Sequence, residues 1–174
     1  GRAVGAGLPV TAGRWEDAAS DRRFVAPTPD QLYHELDRFH APAPDSTWAE
    51  WHYFNVAPGE GEWWYLTYLV GGPLAAGGGG GQLLVTRHRN GSPPARFEAT
   101  VPRAEVRFDT TSANLVLGPH TVIQQDGRYR LVGTATGPAG SVQFDLTVVP
   151  TPNAYFPPIE LRSDAFLSGY VVPG

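Results

Sequence analysis

Hydrophobic and polar residues alternate with a period of two along most of the chain after residue 47. The alternation is clearest at 142–148, where four apolar residues are separated by three polar ones. Because successive side chains of a β-strand point to opposite faces, this pattern is typical of a strand with one buried and one solvated face. Repeated segments of this kind predict an all-β fold, an antiparallel barrel or sandwich.

Nine strands are predicted between residues 47 and 149, and a tenth near the end of the chain. Turn-forming residues lie between them, as at Asn90-Gly91 and Asp126-Gly127. The glycine-rich stretch 71–81 lacks the lysine and hydroxyl of a phosphate-binding loop, so we expect a flexible connection there. The predicted strands are Trp48–Val56, Glu62–Val70, Gln82–Arg89, Ala95–Val101, Ala104–Phe108, Asn114–Leu117, His120–Gln125, Arg128–Thr136, Ser141–Val149 and Phe166–Val172.

One short helix is predicted before the first strand. Thr28 can cap it, Pro29 suits its first position, and Gln31 completes a capping box. An apolar stripe follows at i, i+4 and i+7, and we expect the helix to end near residue 40, before a proline-rich segment. Residues 1–26 have weak periodicity and are expected to form a loose arm, which leaves 27–174 as a single β domain. The stripe consists of Leu32, Leu36 and Phe39.

Composition narrows the classes of function. The chain has no cysteine, which excludes disulfides and thiolate metal sites. Its thirteen basic residues are all arginine, seventeen acids outnumber them, and a net charge of −4 without a basic stripe argues against nucleic acid as a partner. No apolar run is long enough for a membrane span. Since methionine is also absent, we expect that residues before Gly1 were removed. Whether they included an export signal, and therefore which compartment the protein occupies, stays open.

A set of aromatic and proline-rich motifs is distributed along the chain. The runs WAEWHYF at 48–54 and EWWY at 62–65 form a pair of aromatic strands. The run GGQLLVT follows at 80–86, and the runs PTPNAYFPP and SGYVVP lie at 150–158 and 168–173. Together these motifs resemble the hydroxyneurosporene synthase (carotenoid 1,2-hydratase) and AttH-like family.

The resemblance spans 47–173 and implies that the chain is the first of two consecutive lipocalin-like barrels. The family includes carotenoid hydratases and, more distantly, fungal decalin-forming pericyclases. In such proteins the residues that protonate an alkene are expected in the second barrel. The resemblance therefore implies a fold, an apolar ligand and a second barrel downstream or on a partner chain, and it transfers no catalytic residue to this chain.

Three functions are consistent with these patterns. The first is a lipocalin-like domain that, with a second barrel, encloses an apolar small molecule such as an isoprenoid, a polyene or a lipid-like compound. The second is a hydro-lyase, isomerase or cyclase that acts on a polyene or terpenoid without a metal or organic cofactor. The third is an interaction domain that packs against a second barrel.

Aromatic residues of the first two predicted strands are the candidate ligand contacts. Alternation puts Trp51 and Tyr53 on one face of the first strand and Glu50 and His52 on the other, and either face can line a cavity. The alternative is that these rings simply fill the barrel. The candidate ligand-binding residues are Trp51, Tyr53, Trp63, Trp64, Tyr65, Tyr68 and His88.

Glu50 and His52 are the candidate catalytic residues, because a carboxylate and an imidazole that share a face of a strand can form a pair. In an apolar cavity such a pair has shifted pKa values and can move a proton. The alternative is a buried glutamate that backbone groups or an arginine satisfy. The five histidines are scattered without His-x-His or His-Glu-x-x-His spacing, so no metal site is predicted.

Overall fold

The computed structural model describes residues 38–44 and 46–149, which form nine antiparallel strands. The fold is therefore all-β, as the alternation predicts. The expected arm at 1–26, the helix before residue 38 and the final strand at 166–172 lie outside the described residues; of the predicted helix, 38–40 are described and are not helical. The strands are β1 Ala49–Gly59, β2 Glu62–Gly71, β3 Gly80–Arg89, β4 Ala95–Pro102, β5 Val106–Phe108, β6 Leu115–Leu117, β7 His120–Gln125, β8 Arg128–Gly137 and β9 Gly140–Val148.

The strands form one sheet in the order β1-β2-β3-β4-β8-β7-β6-β5, and β9 pairs with the other edge of β8. One edge of β8 therefore pairs with two different strands. Its first half pairs with β7, and further along only Thr136 is in register with a β4 residue, Glu98. This fork divides the sheet into two layers that face each other, β1–β4 and β5–β9.

Most strand ends lie within one residue of the predicted positions, although β1 runs three residues beyond the predicted Val56 to Gly59 and β3 begins two residues early at Gly80. In the β7–β8 turn both Asp126 and Gly127 have positive φ, at 51° and 71°, which is the backbone of a two-residue hairpin turn. The glycine-rich stretch differs from the expected flexible connection. It contains a 3-10 turn at Leu74–Ala76, and Leu74 is buried because its side chain reaches the core. The predicted fifth strand is also shorter, since a 3-10 turn at Arg103–Glu105 precedes β5.

The core lies between the two layers and is filled by side chains from their facing sides. Leu83 of β3 and Leu131 of β8 are fully buried, and so is Tyr68 of β2, whose hydroxyl donates a 2.9 Å hydrogen bond to the Val132 carbonyl of β8. Aromatic rings extend these contacts across the layers, with Phe54 of β1 6.2 Å from Tyr129 of β8. Burial of these side chains is the main stabilising term of the fold.

Gly133 of β8 allows the two layers to approach closely. A Cβ at this position would lie 2.7 Å from Leu83 Cδ2 and would also meet the ring of Phe144. Interiors are close-packed, so an added methyl group must displace one of these neighbours. A small residue is therefore required in the middle of β8, because Phe144 of the neighbouring strand β9 and Leu83 of the facing layer both occupy the space beside it.

Replacing Gly133 with alanine should destabilise the protein by about 1–3 kcal/mol, because the methyl group overpacks the contact with Leu83 and Phe144. Urea unfolding monitored by tryptophan fluorescence measures the change. Gly59→Ala is the matched control, since a Cβ there meets nothing within 4 Å, and it should leave stability nearly unchanged. Equal stabilities of the two variants would contradict the close approach.

Candidate functional site

A group of aromatic side chains lies on the outer face of β1, β2 and β3, the face directed away from the other layer. Alternation places Trp51 and Tyr53 there from β1, Trp63 and Tyr65 from β2, and His88 from β3. Trp51 is 58% exposed, Tyr53 51% and Trp63 43%. We call these five residues the outer aromatic surface.

Ring contacts hold part of the outer aromatic surface in place. The rings of Tyr53 and Tyr65 stack across β1 and β2 with centroids 6.0 Å apart and planes 12° apart. Tyr65 makes an edge contact with the His88 ring at 5.1 Å. Partial burial raises the pKa of the Tyr53 phenol, and the neighbouring Tyr65 raises it further. The Tyr53 phenol is therefore neutral at physiological pH and adds no charge to the surface.

The seven predicted ligand contacts do not share one face. Five form the outer aromatic surface, whereas Trp64 and Tyr68 point into the core. Trp64 stacks on Phe97 at 6.3 Å and lies under the Arg87 guanidinium at 5.5 Å. Burial raises the pKa of Tyr68 far above its usual value. Trp64 and Tyr68 are therefore core residues, in agreement with the alternative that these rings fill the interior.

Glu50 and His52 share the inner face of β1, as predicted, but they bind different partners. The Glu50 carboxylate accepts a 2.8 Å hydrogen bond from the His40 backbone N–H, and its other oxygen contacts His40 Nδ1. His52 Nε2 lies 2.8 Å from the Ala113 carbonyl oxygen. The expected Glu50–His52 pair is therefore corrected to a His40–Glu50 pair. Sequence spacing did not reveal His40, because the chain must fold back over ten residues to bring it there.

His52 is enclosed by aromatic and backbone groups. The Phe39 ring meets it edge-on at 4.7 Å, and its Nε2–H donates to the Ala113 carbonyl. Burial lowers the pKa of His52 to about 4, although the hydrogen bond to Ala113 partly opposes the shift. The imidazole is thus neutral at physiological pH and contributes to packing between β1 and the loop before β6.

His120 is a second buried histidine that the sequence did not single out. Its Nδ1 accepts a 3.2 Å hydrogen bond from the Thr134 backbone N–H. Thr134 lies between the β8 residues that pair with β7 and Thr136, which pairs with β4, so its N–H has no strand partner on that edge. Burial lowers the pKa of His120. The neutral ring therefore satisfies the backbone at the fork of the sheet.

A cleft of about 480 Å³ opens beside the fork, where β4 and β8 diverge. We call it the β4–β8 cleft. Gly137 lets β8 pass close to the Arg96 carbonyl at this point, because a Cβ there would collide with that oxygen. The residues that line the cleft are Leu84, Val85, Thr86, Arg96, Phe97, Glu98, Thr136, Gly137 and Pro138.

The described part of the chain shows neither a cluster of metal-binding side chains nor a membrane-spanning helix. Residues 38–44 and 46–149 contain no group of three or more histidine, cysteine, aspartate or glutamate side chains that could hold a metal ion. Within the same residues no helix is long and apolar enough to cross a bilayer.

Comparison of the chain with protein-family models, with curated proteins and with solved structures finds no match. The resemblance to the hydroxyneurosporene synthase and AttH-like family therefore stays a prediction. The site is described by its own geometry, which consists of the outer aromatic surface, the β4–β8 cleft and the His40–Glu50 pair.

The buried histidines predict a loss of stability in mild acid. An unfolded histidine binds a proton below about pH 6.5, whereas native His52 does so only below about pH 4. Unfolding thus takes up a proton in this window, and the free energy of unfolding should fall as the pH decreases from about 6.5 to 4. The contribution of His52 is about 3 kcal/mol at the acid end, and the lowered pKa of His120 adds to it.

Urea unfolding at a series of pH values measures this dependence. His52→Gln keeps an amide donor for the Ala113 carbonyl but does not titrate, so its stability should fall less steeply between pH 6.5 and 4 than that of the wild type. The comparison between the two proteins removes the contribution of the carboxylates, which they share. Parallel curves, or an NMR titration midpoint of His52 near 6.5, would contradict the burial of a neutral ring.

Proposed function

We propose that the chain is a binding domain for an apolar small molecule, such as an isoprenoid, a polyene or a lipid-like compound, and that this molecule lies against the outer aromatic surface. One observation carries the proposal: Trp51 and Tyr53 stand largely exposed two residues apart on β1, and the exposed Trp63 lies two residues from Tyr65, whose ring stacks on Tyr53. Large aromatic rings gain much free energy on burial, and clusters of them on a surface mark binding sites.

The chemistry around the rings supports a neutral, apolar ligand. Leu69, Thr67 and Leu84 share the outer face with the rings, and none carries a charge. The nearly parallel rings of Tyr53 and Tyr65 hold each other in place, so they offer preformed apolar contacts to a conjugated or ring-containing molecule. The inner face is less suitable, since fully buried side chains such as Leu83 and Leu131 occupy it.

A second β domain fits the same surface. The motif resemblance implies a barrel downstream or on a partner chain, and a ligand that lies on an open sheet face needs a cover to be enclosed. We propose that the second domain closes over the outer aromatic surface with the ligand between the two. The proposed ligand site is thus on the outer face of the sheet, instead of in the interior pocket expected from the sequence.

Trp51 should contribute ligand affinity through its ring. Trp51→Leu keeps the position apolar but removes the ring face, and affinity for retinoid, carotenoid or fatty-acid probes should fall about fivefold or more. Trp51→Tyr restores a ring and should recover most of the affinity. The measurement is a titration of each variant, monitored by quenching of the remaining tryptophans.

Val149→Ser is the matched control. Val149 is also an exposed apolar residue, but it lies just after β9 and is not part of the outer aromatic surface. The variant should bind the probes like the wild type. The proposal is contradicted if no probe binds to the wild type, or if the serine variant loses as much affinity as Trp51→Leu.

A second function, proton transfer to an apolar substrate, is favoured by the His40–Glu50 pair. The carboxylate is held by both the backbone N–H and the ring of His40, and that ring is 60% exposed. A carboxylate that orients an imidazole is a common arrangement for general acid–base chemistry. In a hydration, such a pair gives a proton to one alkene carbon, water adds to the other carbon, and the added water returns a proton to the pair.

Incubation with polyene substrates, followed by mass spectrometry for addition of water, tests this second function. Glu50→Gln and His40→Gln should each lower turnover by about 100-fold. Glu60→Gln, which changes an exposed carboxylate in the β1–β2 turn, should leave it unchanged. Wild-type protein without product, or Glu50→Gln with full turnover, contradicts the assignment.

A further inference from the structure

The outer aromatic surface continues across the sheet into the β4–β8 cleft. Register pairs Tyr53 with Thr67, Thr67 with Leu84, and Leu84 with Glu98, which in turn pairs with Thr136. Side chains that are in register on an antiparallel sheet share a face. This row therefore leads from the aromatic rings of β1 to the polar groups beside β8 without crossing to the inner face.

A neighbouring row follows the same course. Asn55 pairs with Tyr65, Tyr65 with Thr86, and Thr86 with Arg96. Asn55 is a polar exception on β1; otherwise the side chains of both rows change in one direction, from aromatic rings on β1 and β2, through hydroxyl and aliphatic groups, to a guanidinium and a carboxylate on β4. Strands are spaced about 4.8 Å apart, so the distance from β1 to β4 is about 14 Å.

The polar end of this surface is equipped for hydrogen bonding. Arg96 and Glu98 are exposed, lie two residues apart on β4, and border the cleft together with the hydroxyl groups of Thr86 and Thr136. Within residues 38–44 and 46–149, no salt bridge joins Arg96 or Glu98 to another side chain. Their hydrogen-bonding groups remain accessible to a ligand.

We infer that the ligand of this domain is amphiphilic: its apolar part lies on the outer aromatic surface, and an uncharged, hydroxylated end occupies the β4–β8 cleft. The inference rests on the proposed function and specifies its ligand class. A hydroxyl group both donates and accepts hydrogen bonds, so it can accept from Arg96 and donate to Glu98. Arg96 attracts an anionic end, but Glu98 repels it. Glu98 attracts a cationic end, but Arg96 repels it, so a neutral end fits the pair best.

Four probes with the same eight-carbon chain test the inference on the whole protein. They are 1-octanol, octanoate, octyltrimethylammonium and octyl glucoside, each used below its aggregation concentration, and binding is measured by calorimetry at pH 7. Octyl glucoside should bind about tenfold more tightly than 1-octanol, because its several hydroxyl groups can bond to both charged residues at once, whereas 1-octanol has a single hydroxyl group to share between them. Octanoate and octyltrimethylammonium should bind no more tightly than 1-octanol.

Variants of the cleft separate the two ends of the ligand. Arg96→Gln and Glu98→Gln should each weaken octyl glucoside about fivefold and weaken 1-octanol, which has a single hydroxyl group, by a smaller factor. Trp51→Leu should weaken both probes alike. Arg128→Gln, at the exposed start of β8, is the control and should change neither.

The outcomes distinguish failure of the inference from failure of the proposed function. Equal affinity for octyl glucoside and 1-octanol overturns the inference and leaves the apolar site standing. Tightest binding of octanoate, lost in Arg96→Gln and improved in Glu98→Gln, also overturns it, in favour of an anion site. If neither 1-octanol nor octyl glucoside binds, the proposed function fails and the inference with it.

Discussion

The antiparallel register of β1, β2 and β3 is the constraint on which the rest of the structure depends. It pairs His52 with Tyr68 on the inner face and Tyr53 with Thr67 on the outer face. Because side chains alternate between faces, a slip of one residue would exchange the two sets and expose the core. The same register therefore determines both the packing of the barrel and the composition of its outer surface.

On the inner face, two histidines bind backbone groups, and the contact of His120 requires a neutral ring because its Nδ1 accepts the hydrogen bond. His52 donates to the Ala113 carbonyl while it packs against Phe39, and His120 accepts from the Thr134 N–H at the fork of β8. Both rings are buried, so both resist protonation. The fold thus uses two of its five histidines to satisfy backbone groups that strand pairing leaves open.

On the outer face, the register arranges aromatic, hydroxyl and charged groups in order from β1 to β4. The aromatic end and the β4–β8 cleft lie on one continuous face of the sheet, although the cleft exists only because β8 leaves β4 after a single register pair. A ligand that is apolar at one end and hydroxylated at the other matches this order. A second domain over the face would remove the exposed rings from water.

The sequence by itself determined the order of the described strands, most of their ends and the two faces of β1, because these follow from local alternation and turn residues such as Asp126 and Gly127. It also identified Glu50 and His52 as neighbours on one face. Only the tertiary structure decided which face of β1 is buried, since both carry aromatic rings and the pattern alone is symmetric. It also decided that Glu50 binds His40, that His120 caps the fork, and that Arg96 and Glu98 extend the aromatic surface. Each of these results from contacts between segments distant in sequence, which no local period encodes.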